Sequence, residues 1–220
     1  GAHLANVINE AALLAVKHNL NEIGNEELNQ ALIKTVAGIK NKTTVLTDKE
    51  KHIVAFHEGG HALVGSVLNN DNIEKISIIP HGKALGFVLN TSSEDKFILT
   101  KEELKNKITI LLAGRAAEEI IFKEISSGAQ NDLVKANEIA SAMVCEYGMS
   151  HYKNKTFNKR EDFSSSDIIN EEINTILDDC YNMANSVIYE NINKLHKIAE
   201  ILLAKETING DELDTILKSA

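Results

Sequence analysis

The chain has no tryptophan, a single proline and only two cysteines among its 220 residues, and each scarcity narrows what it can be. With Pro80 the one proline, long stretches are free to run as helix, because it is proline that costs a helix interior about 3 kcal/mol. Cys145 and Cys180 fall in no CxxC or other ligand spacing, which excludes a thiolate metal cluster and reads as free thiols of a reducing compartment. Apolar runs are short as well. Ile108–Gly114 is among the longest, far below the roughly 20 residues a bilayer span requires. The chain therefore reads as soluble, with any membrane anchor lying outside it. Runs of Lys and Arg are missing too, and the formal net charge is -9, so no nucleic acid is expected as a partner. What remains is 43% apolar and 25% charged residues, a globular composition on a chain long enough to bury a real core.

Apolar residues recur at helical spacing over most of the length, so the fold class is mainly α with a small β-sheet. Leu4, Val7, Ile8, Ala11, Leu14 and Ala15 mark one face of a first helix, and a second runs over about 26–37. The helical pattern is already in place at Gly1, as though the chain began inside a larger domain. Residues 1–40 form one small unit, 40–46 read as a polar linker, and 41–220 form the main domain. Thr47 followed by Glu50 is a capping box opening a helix to about Leu68. Ile73–Ile79 is β-branched and ends at Pro80, His81-Gly82 turns the chain, and Leu85–Asn90 returns as a second strand. A second capping box, Thr100 with Glu103, opens a helix to about Phe122 in which Gly114 lowers local stability by about 1 kcal/mol relative to alanine. Another helix covers about 131–147 with Gly148 as its C-cap, 151–165 reads as a polar loop, and helix resumes from Ser166.

The chemistry is carried by His57-Glu58-Gly59-Gly60-His61, an H-E-x-x-H string inside the third helix. Among 8 histidines such a string arises by accident roughly 0.03 times in a chain of this length. Four residues on a helix put both imidazoles on one face, one turn apart, where both can reach one ion. Glu58 lies about 100° around the axis, too far to be a natural third ligand but within reach of a water at the same ion, which is where a general base belongs. Two histidines do not hold a catalytic zinc alone. The extension that supplies a third histidine from the same helix fails, since Val64 and Val67 stand where its glycine and histidine belong. Glu118, Glu119 and Asp132 are the remaining candidates, and spacing does not choose among them.

Several stretches together resemble the FtsH-type proteases, which join an AAA ATPase to a zinc peptidase in one chain. They are 1–6 with Asn9–Ala15, like the end of the ATPase helical lid; His57–Gly65 and Lys75–Pro80; Leu112–Glu119; Ser127–Ala129 with Asn131-Asp132-Leu133; Glu146–Ser150; and Glu206–Ile208 with Gly210–Leu213. The resemblance implies that 1–40 is the C-terminal part of an AAA lid and 41–220 a helical, zincin-like metallopeptidase domain. It implies Asp132 as third zinc ligand, leaving Glu118 and Glu119 as ordinary helix carboxylates. It implies an edge strand, here Leu85, Gly86, Phe87, Val88 and Leu89, along which unfolded polypeptide binds extended. It further implies a homohexamer and a membrane-anchored parent with this domain in the cytoplasm, mitochondrial matrix or plastid stroma. The parent would use ATP and Mg2+ in a module absent here, since no Gly-x-x-x-x-Gly-Lys-Ser/Thr loop occurs in the chain. The departures are Gly59 where alanine is usual, an unlike 151–165 loop, and His81 at a usually basic position, where an exposed non-ligand histidine is expected.

Overall fold

The structure is a computed structural model that describes residues 2–39, 44–68, 72–82, 84–91, 98–152, 155–157 and 166–218. Its helices are α1 (Ala2–Lys17), α2 (Asn25–Ala37), α3 (Asp48–Leu68), α4 (Lys101–Phe122), α5 (Gln130–Cys145), α6 (Ser166–Glu190), α7 (Ile192–Lys205) and α8 (Gly210–Lys218). Strands β1 (Asn72–Ser77), β2 (Phe87–Thr91) and β3 (Thr207–Asn209) form an antiparallel sheet in the order β2-β1-β3. The mainly helical class with a small sheet is therefore what the chain adopts.

Both expected capping boxes are present as bonds. The Thr47 backbone N–H donates to Glu50 Oε2 at 2.8 Å while Glu50 N–H donates to Thr47 Oγ1 at 3.3 Å. Thr100 and Glu103 repeat the exchange at 2.8 and 3.2 Å, so each helix begins with two of its orphan donors satisfied. α3 is covered on nearly every side. Val54, Ala55, Phe56, Ala62, Leu63 and Val64 enter one core with β1, α7, β3 and α8, which is why its apolar residues form no single stripe. A second core gathers Leu104, Ile108 and Leu112 of α4, Ala136, Ala140 and Met143 of α5, and Ile169, Ile173 and Ile176 of α6. α4 and α6 run through both cores, since Ala113, Ala116 and Ala117, and likewise Ala184, Val187 and Ile188, lie in the first. α4 is thereby fixed at both ends while its middle lies against α3. Cys145 and Cys180 are buried and unbridged.

Some expectations need correction. β1 stops at Ser77, not Ile79, and β2 begins at Phe87, so Leu85 and Gly86 precede the strand. The cause is the connection: His81 and Ala84 exchange backbone hydrogen bonds at 2.9 Å each, closing a tight turn of their own outside the ladder. His81 is buried at 9% exposure, its Nδ1–H donating to Ile79 O and its ring edge-on to Phe87, so the expected exposed histidine is a packed one. No expected element corresponds to β3. It follows α7 after Glu206 takes a left-handed φ of 61° and makes β1 the central strand. On α1, Ala11 and Ala15 are buried, but Leu4 stays 68% and Ile8 44% exposed, so only part of the expected face is covered, against α2. Residues 40–43 of the linker, and 153–154 and 158–165 of the polar loop, lie outside the described residues. At the start of that loop His151 is held by Glu172 of α6, and Phe157 is buried with its N–H on Cys145 O.

Candidate metal centre

His57 and His61 leave the same face of α3, and their Nε2 atoms stand 3.0 Å apart. Each ring is fixed through its other nitrogen. His57 Nδ1 lies 2.7 Å from Glu118 Oε1 and His61 Nδ1 lies 2.7 Å from the Ile110 carbonyl oxygen. A carbonyl only accepts and an ionised carboxylate only accepts, so both Nδ1 atoms carry a proton, and it is the Nε2 atoms that are turned toward a prospective ion. A cation between them would take a lone pair from each, displacing the proton that His57 holds without it.

Asp132 supplies a third donor, its Oδ2 3.4 Å from each of the two Nε2 atoms. It sits in the first turn of α5, delivered there by a 3-10 turn over Ser127–Ala129 that Ser126 caps through Gly128 N–H. His57, His61 and Asp132 are the set among the described residues whose donor atoms converge closely enough to hold one ion. Two imidazoles and a carboxylate at this spacing are a donor set that suits zinc, with a coordination position left open.

The electrostatics favour positive charge at this point. Burial opposes a charge on His57, but Asp132, Glu118 and Glu58 outweigh it and push the ring up to about 10. Burial pushes Asp132 up, yet the bonds and charges of His57 and His61 hold it well below the usual carboxylate range. Glu58 is nine-tenths buried, and that burial raises its carboxyl, partly offset by His61 and His57. It is covered by the chain leading into β2. A Cβ placed on Gly86 would stand 2.7 Å from Glu58 Oε1 and 2.8 Å from Ser77 O, so only a glycine passes this close over the carboxylate.

The candidate carboxylates thus separate. Asp132 faces both rings, and Glu119 accepts from Tyr181 Oη of α6. Glu118, expected to be an ordinary helix carboxylate, is 2% exposed and bridges His57 to the Ser126 N–H at 2.8 Å. Burial pushes its carboxyl up, and the bonds from His57 and Ser126 hold it below the usual range. Sequence reasoning missed this, together with Ile110 and Ser126. Glu118 is 61 residues from His57, and no local pattern announces a contact of that separation. Leu85 is exposed, Phe87, Val88 and Leu89 are half-buried, and β2 is an edge of the sheet.

The chain is similar to known proteins over nearly all of its length. It is 53% identical over 216 residues to "ATP-dependent zinc metalloprotease FtsH 2" of Thermoanaerobacter sp. (strain X514), covering 98% of this chain and 42% of that protein. It is 41% identical over 235 residues to "ATP-dependent zinc metalloprotease FtsH" of Thermotoga maritima, covering 99% and 38%. Against "ATP-dependent zinc metalloprotease FtsH" of Bacillus subtilis it is 38% identical over 235 residues, covering 99% and 37%. The chain thus spans about two-fifths of the length of these relatives. The model of the family described as "Peptidase family M41" matches residues 44–216, taking in every residue of the centre described above, and the chain belongs to that family.

Proposed function

We propose that the chain is the zinc-dependent endopeptidase part of a membrane-anchored, ATP-driven protease, and that it cleaves unfolded or membrane-extracted polypeptide. The observation that carries this reading is the convergence of His57 Nε2, His61 Nε2 and Asp132 Oδ2 beside a buried Glu58. Zinc, the cofactor named for the relatives, supplies Lewis acidity that polarises a peptide carbonyl and acidifies water. His57, His61 and Asp132 would hold it. Glu58 takes the proton of the attacking water, a task suited to a carboxylate raised by burial, and passes it to the leaving amine. Glu118 and Ile110 O keep both rings in the tautomer the ion needs.

Leu85, Gly86, Phe87, Val88 and Leu89 would bind substrate by strand addition. β2 is an edge, its approach covers Glu58, and backbone hydrogen bonds are the same for every sequence, which accounts for broad specificity. Residues 1–40 would be the end of an AAA lid and 41–220 the peptidase domain, with α6 to α8 as interface material in a homohexamer. The parent would carry the ATP and Mg2+ site and the membrane anchor, with this domain in the cytoplasm, mitochondrial matrix or plastid stroma. No described helix of this chain is long and apolar enough to cross a membrane. The test is Glu58→Gln, assayed for bound zinc and for casein cleavage with and without chelator. Zinc retained and cleavage lost is expected; cleavage at the parent rate would remove Glu58 as the base.

A further inference from the structure

Gly114 lies in the interior of α4, and its backbone does not need a glycine. Positive φ occurs at Gly38, Gly82 and Gly148, and Gly114 is not among them. A glycine in a helix interior weakens it relative to alanine, so something else must favour the missing side chain. A Cβ built on Gly114 would stand 2.6 Å from His57 Nε2, 2.6 Å from His61 Nε2 and 2.6 Å from His57 Cε1. These are the nitrogens that face Asp132. Unbonded atoms do not approach so closely, since ordinary contact begins at about 3.5 Å.

Gly60, on the facing side of the same helix crossing, makes a useful contrast. A Cβ there would meet the Ala113 carbonyl oxygen at 2.6 Å and Ala117 Cβ at 2.8 Å, so Gly60 lets the two helices approach. At Gly114 the three nearest atoms are all imidazole atoms. An alanine could be relieved only by turning the rings, which breaks the bonds to Glu118 and Ile110 O that hold them. We propose that Gly114 is a positioning residue for the metal: the absence of its side chain keeps open the space into which His57 and His61 point. The inference rests on the reading of this centre as a zinc site and adds that the space for the ion is made by α4 as much as by the H-E-x-x-H helix.

The test is Gly114→Ala in the full chain, read by zinc per chain after reconstitution, by zinc affinity in competition with a chromophoric chelator, and by melting temperature in chelator. Zinc affinity is expected to fall by about 100-fold, the upper end of what disturbing ligand orientation costs. The melting temperature in chelator is expected to fall as well, because the rings crowd the added Cβ whether or not an ion is bound. A second comparison introduces Gly114→Ala into a chain already carrying His57→Ala and His61→Ala. There the melting temperature should hold or rise. Parent-like zinc binding by Gly114→Ala overturns the proposal, and so does an equal loss of stability in the chain without the rings, which would make the glycine a packing residue. A parent chain that binds no zinc would instead sink the metal reading itself, and this inference with it.

Discussion

Replacing Glu118 by glutamine changes one carboxylate oxygen into an amide nitrogen and leaves the shape of the side chain intact. The native carboxylate accepts twice, from His57 Nδ1–H at 2.7 Å and from Ser126 N–H at 2.8 Å. Glutamine can accept from only one of these donors, because its NH2 group faces the other. If the NH2 faces His57, the ring either keeps an unsatisfied buried donor or moves its proton to Nε2, which removes the lone pair a cation needs. If it faces Ser126, the strain falls on the turn that delivers Asp132. The tautomer shift takes the lone pair from the ion, and otherwise one buried donor is left unpaired, at a cost of about 1–3 kcal/mol. That corresponds to roughly 5- to 150-fold in zinc affinity, in line with the 10–100-fold found for partners behind metal-ligating histidines. Competition titration with a chromophoric chelator measures it. Glu119→Gln, one position along but exposed and turned toward Tyr181, is the comparison and should leave zinc affinity unchanged. Equal zinc affinity in Glu118→Gln and the parent would refute the reasoning.

Two further outcomes are expected. Leu63 is fully buried in the core that surrounds α3, so Leu63→Ala should lower stability by about 2–5 kcal/mol in urea unfolding, and a loss below about 1 kcal/mol would mean that the core closes around the gap. In chelated protein His57 is raised to about 10 from an unfolded value of 6.5. The stability this contributes is fully present below about pH 6.5 and is lost as pH rises toward 10. The melting temperature of the metal-free chain should therefore fall across that window, and a rise there would contradict the charge balance around His57.

The parts legible in the sequence are those set by local rules. Thr47 with Glu50 and Thr100 with Glu103 announce helix starts three residues apart, and the bonds they promise are made. His57 and His61 share a face because the helix period places them there. What could not be read depends on which helices cross. Glu118 looks like any helix carboxylate until α4 lies against α3 and carries it to His57. Gly114 reads as a mild weakness in a helix until the facing rings fill the space above it. β3 is only three residues long, and its pairing with β1 spans more than a hundred residues, so neither alternation nor a turn reveals it. The ends of β1 and β2 were misplaced because the His81 and Ala84 bridge closes a turn that composition does not distinguish from strand.

The central claim is tested most directly by zinc-edge anomalous diffraction from crystals of the purified chain. One zinc per chain is predicted, with His57 Nε2 and His61 Nε2 at about 2.0–2.1 Å and an Asp132 oxygen at about 2.0–2.2 Å. A zinc-replete crystal with no anomalous peak between these side chains, or with its peak on other residues, would contradict it.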